Sequence, residues 1–376
     1  MNWLTRAAIV AIALLPLSAS ADPLLSFGED VPLFITASAS IRHDDNVFLS
    51  PNDKVGDTIY LFVPGIDLHY TGGKATAGIT FSEQFSRYAS NHDLDDQLAN
   101  VAANIGYTGA ETTFGATASY AQEDQTTTSA ENLDETVKHS IASVAANLEG
   151  EITAKTRVGV TPSFTRVEFP EVGFVDSNIV TLPVDLYYAV TPKTDVSLGY
   201  AYGKTTTQNG VGDAKTNFVN VGARGQFTPK LSGQVRVGVS ELKSAAGQGP
   251  STSQVGLETS LNYAYSPKST FSLYANNGFA PSAAGNQTEV FSGGISGNFE
   301  LSQAWSANLT AGYSQTKYLI MPPRTDHFWN LAASVSYTVN TSLNLSASYV
   351  FRKNTSQLEE FTFDDGIATF TAACRF

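Results

Sequence analysis

The sequence predicts an all-β fold, a transmembrane antiparallel up-and-down β-barrel of about 18 strands, with 16 the nearest alternative. Three observations predict it: apolar–polar alternation along nearly the whole chain, connections that alternate between tight and long, and a last strand ending in Phe376. Composition is compatible. Mean hydropathy of −0.09 excludes a polytopic helical membrane protein, whereas alternation dilutes the apolar residues of a barrel to about that level. Of 376 residues only one is cysteine and five are histidine, which excludes an internal disulfide framework and a thiolate metal cluster. A formal charge of −13 argues against a nucleic-acid partner, because phosphate binding needs a basic surface. No cofactor is implied.

Residues 1–21 have the form of a secretory signal, with Arg6 as the positive flank, an apolar run from Ala7 to Leu17, and Ala19-Ser20-Ala21 as a small-residue cleavage site. About eleven apolar residues are too few to cross a bilayer as a helix. Residues 22–32 are expected to be a short periplasmic segment, and 33–376 the barrel.

Alternation is clear where Leu343, Leu345, Ala347, Tyr349 and Phe351 interleave with Ser342, Asn344, Ser346, Ser348 and Val350. It recurs around Trp305–Ser314 and Val255–Tyr265. The segments run roughly 10–14 residues, longer than the five or six usual for soluble strands and sufficient for a tilted membrane crossing. Eight connections are tight: Gly72-Gly73, Thr108-Gly109-Ala110, Gly150–Ala154, Thr191-Pro192-Lys193, Thr228-Pro229-Lys230, Ser266-Pro267-Lys268, Glu300–Gln303 and Asn340-Thr341-Ser342. Nine longer ones lie between them and carry 23 Asp+Glu against 12 Lys+Arg. Short periplasmic turns opposite longer external loops are what outer-membrane barrels show. The final strand alternates Ala368, Phe370, Ala372 and Cys374 and closes on Phe376, the form read by the barrel-assembly machinery.

Near the amino end, Ser40-Ile41-Arg42-His43-Asp44-Asp45-Asn46-Val47-Phe48, Ile66-Asp67-Leu68 and Phe85-Ser86-Arg87-Tyr88-Ala89-Ser90-Asn91 resemble the putative beta-barrel porin type 2 family. The resemblance implies a barrel in the outer membrane of a Gram-negative bacterium, in some members beside exopolysaccharide export. Outer-membrane lipid and lipopolysaccharide are then its surroundings, and hydrophilic solutes or polysaccharide its cargo.

About 18 strands tilted near 40° enclose a lumen roughly 35 Å across between backbones. The inward parity holds mostly Ser, Thr, Asn, Gly and Gln, so the expected interior is aqueous. Arg157, Arg224 and Arg236 share that parity with Asp67, Asp185 and Glu258, giving either a transverse field or ion pairs that brace the wall. A three-residue turn at Thr228-Pro229-Lys230 would bring Arg224 and Arg236 together. Phe34, Tyr187, Phe218, Tyr274 and Phe328 are inward aromatics on which sugars could slide. Tyr70, Tyr107, Tyr188, Tyr265, Trp329 and Tyr337 suit the interfacial girdles. Glu83 falls on the lipid parity, which a bulge or closeness to the rim would explain.

The longest connection, Ala121 to Lys138, would line a constriction with Glu123, Asp124, Glu131, Asp134 and Glu135 if it folds inward, favouring cations. The acid–histidine clusters His43-Asp44-Asp45 and His92-Asp93 with Asp95-Asp96 could in principle activate water or hold calcium, but adjacency specifies no geometry. The function expected is a passive channel for hydrophilic solutes, saccharide or exopolysaccharide foremost. A non-conducting structural or surface-recognition barrel and an outer-membrane hydrolase are the alternatives.

Overall fold

The computed structural model describes residues 23–27, 31–124, 137–208, 210–245, 251–319 and 323–376. The proposed signal at 1–21 and the acidic residues Glu131, Asp134 and Glu135 lie outside them. Of the 22–32 segment, Leu25–Ser26 is described as a short bridge that pairs with Pro32 and Leu33.

Within the described residues eighteen antiparallel strands form one closed sheet. The first six are β1 (Pro32–Asp44), β2 (Asp57–Gly72), β3 (Ala75–Tyr88), β4 (Asp96–Thr108), β5 (Thr112–Glu123) and β6 (His139–Thr153). Then β7 runs in two parts, Thr156–Val160 and Ser163–Glu168, both paired to β6 on one side and to β8 (Ser177–Thr191) on the other. The break falls at Thr161-Pro162, where proline lacks the N–H a continuous ladder needs. The next five are β9 (Thr194–Thr207), β10 (Ala214–Gln226), β11 (Leu231–Ser244), β12 (Thr252–Ser266) and β13 (Ser269–Pro281). The circuit ends with β14 (Gln287–Glu300), β15 (Trp305–Tyr318), β16 (Arg324–Thr338), β17 (Leu343–Ser356) and β18 (Phe363–Arg375).

Closure is by β18 against β1, with Thr36 opposite Arg375 and Asp44 opposite Ile367. Ile35 and Phe376 exchange both backbone hydrogen bonds, at 2.8 and 2.9 Å. A closed ladder leaves no edge to be satisfied by lipid, which is why strands can cross where an open sheet cannot. No helix among the described residues is long and apolar enough to span a membrane.

Alternation decides the faces. On β8, Val180, Leu182, Val184, Leu186 and Tyr188 are exposed, while Asp185 and Tyr187 between them are buried. The same division holds on β9–β11, whose exposed Val196, Leu198, Val219, Val221, Val237 and Val239 form an apolar outer band. Trp305 and Tyr337, ring centroids 4.8 Å apart, belong to the aromatic girdle beside the tight turns.

One tight turn differs from expectation. Residues 150–153 do not turn; β6 continues to Thr153, with Gly150 opposite Val158 and Glu151 opposite Arg157, and reverses at Ala154-Lys155. Glycine at 150 suggested a turn, but the ladder overrides that local signal. Glu83 lies opposite Ala99 in an unshifted register, so there is no bulge there. It accepts a hydrogen bond from Gln97, the second residue of β4, close to the long-loop rim.

Candidate functional site

The inner face carries a charged belt that climbs across β6 to β12. Arg224 on β10 donates Nη1 and Nη2 to the two oxygens of Glu149 on β6, both at 2.7 Å, and Nε to Asp195 Oδ2 on β9 at 3.1 Å. Arg157 on β7 shares the same two carboxylates, bonding Asp195 and approaching Glu149 at 3.4 Å. Higher in the wall Arg236 on β11 donates to Asp185 at 2.7 Å, to Glu258 at 3.1 Å and to the Tyr187 hydroxyl at 3.2 Å. In the orientation that suits both its neighbours, the Gln234 amide oxygen accepts from Arg236 Nε at 2.6 Å. The Arg224 guanidinium lies 3.3 Å over the Tyr187 ring and joins the two halves of the belt. Three arginines therefore meet four carboxylates on one wall, through charge-assisted and partly bidentate contacts.

The local sequence builds this belt in two ways. The Thr228-Pro229-Lys230 turn pairs Phe227 with Leu231 at 2.9 Å, and Arg236 sits opposite Gly222, two residues from Arg224. Glycine beneath each large group supplies the room. A Cβ at Gly199 would stand 2.3 Å from Asp185 Oδ1, and one at Gly159 would stand 3.0 Å from the Tyr187 ring. Asp67 does not join. It lies on β2 near the tight-turn end, accepts from Arg375 at 2.9 Å and faces His69, while Arg375 stacks over Phe34. The expected opposition of Asp67 to the arginines is thus corrected to a separate pair beside the β1–β18 seam. Glu149 and Asp195, not singled out from the sequence, complete the belt. Their inward parity was readable, but their closeness to Arg224 in space was not.

The wall from β12 to β15 is different. Its inward positions are uncharged apart from Glu258 and, at the tight-turn end, Glu300, with Asn262 accepting from Ser272 at 2.7 Å and Asn298 from Asn308 at 2.8 Å. Tyr274 lies across it, its ring over Gly294 and Gly312. It is 43% exposed, whereas Tyr187 is 5% and Phe218 9%. Tyr187 is covered by Arg224, and Phe218 lies over Gly256. Of these three inward aromatics, Tyr274 presents the open ring.

Residues 33–376 match the family described as Putative beta-barrel porin 2, which takes in the whole barrel. The chain belongs to that family. Among proteins of curated function none matches. Solved structures of Pseudomonas aeruginosa outer-membrane barrels share the fold. OccK1 (OpdK) is 11% identical with a TM-score of 0.50, over 93% of this chain and 99% of that one. OccK2 (OpdF) is 9% identical with a TM-score of 0.50, over 94% and 100%. At such identity the likeness is of fold alone. The protein is a beta-barrel porin of the Gram-negative outer membrane.

In this porin the family-like motif Ser40–Phe48 leads into a loop that turns inward. Asn46 is 0% exposed; its Nδ2 donates to Ser50 O and Asp364 O, and its Oδ1 accepts from Ser50 N, all at 2.9 Å. Asp44 Oδ1 accepts from Asn46 N at 2.9 Å and Asp45 Oδ1 from Gly366 N at 2.8 Å. Leu49, 2% exposed and with a positive φ of 55°, enters a cluster with Phe328 of β16 and Phe363 of β18. Loop 45–56 therefore lines the mouth against the inner face of the last strands, a role that loop length alone assigns to the 121–138 connection. Of that connection, Glu123 lies 3.4 Å from His139, and Asp124 belongs to a mouth cluster with Asp96, Arg42 and Lys138. Burial pushes the Asp124 carboxyl up, and the Asp96 carboxylate pushes it the same way.

The acid–histidine clusters are taken apart by the fold. His43 contacts Thr58 on the face opposite Asp44. Asp95 accepts from Tyr88 N at 2.8 Å, and Asp96 from Lys138 at 2.6 Å. These carboxylates hold loops in place. No group of three or more metal-ligating side chains occurs among the described residues.

Proposed function

We propose that the barrel conducts hydrophilic solutes passively, and that neutral saccharides, exopolysaccharide segments included, are its preferred cargo. One observation carries this reading: the lumenal charges of the β6–β12 wall are engaged with one another, while an amide- and hydroxyl-bearing wall, charged only at its ends, carries the open ring of Tyr274 toward the solute. A belt of three arginines and four carboxylates presents little net field, so ions gain no strong guidance. Hydroxyl-rich solutes find hydrogen-bond partners and an apolar platform. The mouth is narrowed by loop 45–56, which Leu49 pins against Phe328 and Phe363 of the wall. The barrel works without catalysis in this reading, since its histidines and carboxylates serve loops and walls.

The test is planar-bilayer conductance under a salt gradient, followed by liposome swelling with sugars of graded size. Open, weakly selective channels that admit small oligosaccharides are expected. Strong anion selectivity, or exclusion of disaccharides with ions still passing, would overturn the saccharide reading. A second reading, a closed structural barrel, draws on contacts among the outer loops. Val175 donates to Ala283 O at 2.8 Å and Gln287 to Gly212 O at 2.6 Å, joining the β7–β8, β9–β10 and β13–β14 connections over the mouth. Absence of conductance from correctly folded protein would favour it.

A further inference from the structure

On the outer face of β9–β11 the register brings three lysines into one row. Lys204 lies directly opposite Lys215, and Lys215 directly opposite Lys243. All three are exposed and share the parity of the apolar band: Val196, Leu198, Tyr200 and Tyr202 precede Lys204 along β9, and Val239 and Glu241 precede Lys243 along β11. Each of these strands thus passes from aliphatic band to lysine at the same level, the long-loop rim. Adjacent strands stand about 4.8 Å apart, so three ammonium groups fall within about 10 Å.

Like charges directly opposite on a sheet face destabilise it, and elsewhere on the outer face of this rim basic residues meet acids instead. Lys317 pairs with Glu289 at 3.0 Å, Lys54 with Asp364, Arg166 with Glu168, and Lys353 stands opposite Asp364 in register. In the lysine row Glu241 reaches Lys243 at 3.0 Å, whereas Lys204 and Lys215 have no carboxylate within 4.0 Å among the described residues. The neighbouring residues 246–250, Ala-Gly-Gln-Gly-Pro, bring no charge of their own. Tyr200, whose hydroxyl donates to Asn217 at 2.8 Å, and Tyr202 mark the interfacial level roughly 7–13 Å below the row along the strand.

We propose that Lys204, Lys215 and Lys243 form a binding site for the phosphate-bearing headgroup of an outer-leaflet lipid. The row faces sideways into the membrane rather than into the lumen or over the mouth, so its anion comes from the bilayer. Its height, one step beyond the tyrosines, is that of a headgroup. Lysine suits phosphate as a compact point charge, and a bound phosphate would relieve the repulsion within the row. The site is independent of what the lumen conducts, and it binds without the divalent cations that an acidic rim would need to hold the same lipid.

The test uses the full barrel in a zwitterionic detergent with EDTA, titrated with lipopolysaccharide and with the same lipopolysaccharide dephosphorylated. Binding is read by native mass spectrometry, and folding by heat-modifiable migration. The wild type should bind the phosphorylated form, and Lys204→Gln/Lys215→Gln/Lys243→Gln should lose at least about tenfold in affinity. The matched variant Lys193→Gln/Lys230→Gln/Lys268→Gln, in the tight turns, should bind as the wild type does. Lys215→Gln alone should give an intermediate loss, which keeps the test open should the triple variant misfold. Unchanged affinity in the row variants would overturn the site, as would equal binding of the dephosphorylated lipid or an equal loss in the turn variant. Displacement of the lipid by millimolar inorganic phosphate would show a simple anion site instead and overturn the assignment to lipid.

Discussion

Arg224 of β10 grips Glu149 of β6 with two hydrogen bonds of 2.7 Å, although three strands stand between them and 75 residues separate them in sequence. The guanidinium fork is planar and fixed, so this contact ties the wall together as well as neutralising it.

Removing that guanidinium should therefore do two things. Arg224→Ala leaves Glu149 and Asp195 short of positive charge, and the expected cost is about 1–3 kcal/mol, below that of a dry site because lumenal water can solvate them. The unfolding midpoint should fall, and the reversal potential in a salt gradient should move toward cations. Arg224→Lys should recover the charge but only part of the stability, since it cannot bridge two oxygens of Glu149 at once. Equal stability of Ala and Lys variants would show that the fork geometry is immaterial.

Leu49 is expected to hold the narrowing loop 45–56 in place against the wall. Leu49→Ala should raise single-channel conductance and cost about 2–4 kcal/mol in local stability through the cavity left beside Phe328 and Phe363. Deleting residues 122–137 measures the competing loop. A larger conductance change and a loss of cation preference from that deletion, with little effect of Leu49→Ala, would return the constriction to the 121–138 connection.

Tyr274 is open to the lumen and rests on glycines, so trimming it removes a surface without creating a buried gap. Tyr274→Ala should shorten oligosaccharide residence times in current-noise measurements several-fold, on the scale of one lost stacking contact of about 1 kcal/mol. Tyr274→Phe should retain most of the effect. Identical residence times in all three proteins would remove the ring from the sugar path.

Asp124 gives a pH dependence. Its folded-state carboxyl is raised by burial and by Asp96, so the charged form is disfavoured. Stability from this group is complete below the unfolded value and declines as pH climbs through the raised one. Asp124→Asn should therefore unfold at a higher denaturant concentration than the wild type at pH 8, and level with it below about pH 4. A difference that grows on acidification would reverse the sign and reject this account.

Orientation can be read directly. With Cys374 replaced, a cysteine at Val172, fully exposed in the β7–β8 loop, should label on intact cells, and one at Pro192 in the β8–β9 turn should not. Labelling at Pro192 alone would invert the barrel.

Much of the fold was legible because membrane strands impose a two-residue period and sort their turns by side. That gave the strand count, the inward parity of Arg157, Arg224 and Arg236, and the pairing across Thr228-Pro229-Lys230. Gly150 misled because glycine signals a turn, whereas here it sits within the ladder, opposite Thr112 on one side and Val158 on the other. Loop 45–56 escaped attention because alternation says nothing of where a loop goes once its strands end. Leu49 and Asn46 find their partners in Phe363 and Asp364, more than 300 residues away, and no local pattern announces that. Parity likewise placed Tyr187 and Tyr274 on the same face, but not which of them an arginine would cover.

The anchoring of loop 45–56 also has a meaning in time. Its holdfasts, Phe363, Asp364 and Gly366, belong to the last strand or its threshold, while the loop itself follows the first. A chain still open at the β1–β18 seam cannot offer both halves together, so the narrowed mouth is made at closure and not before. An unfinished barrel would be a leaky one, and the onset of restricted permeation would report the moment the seam zips shut.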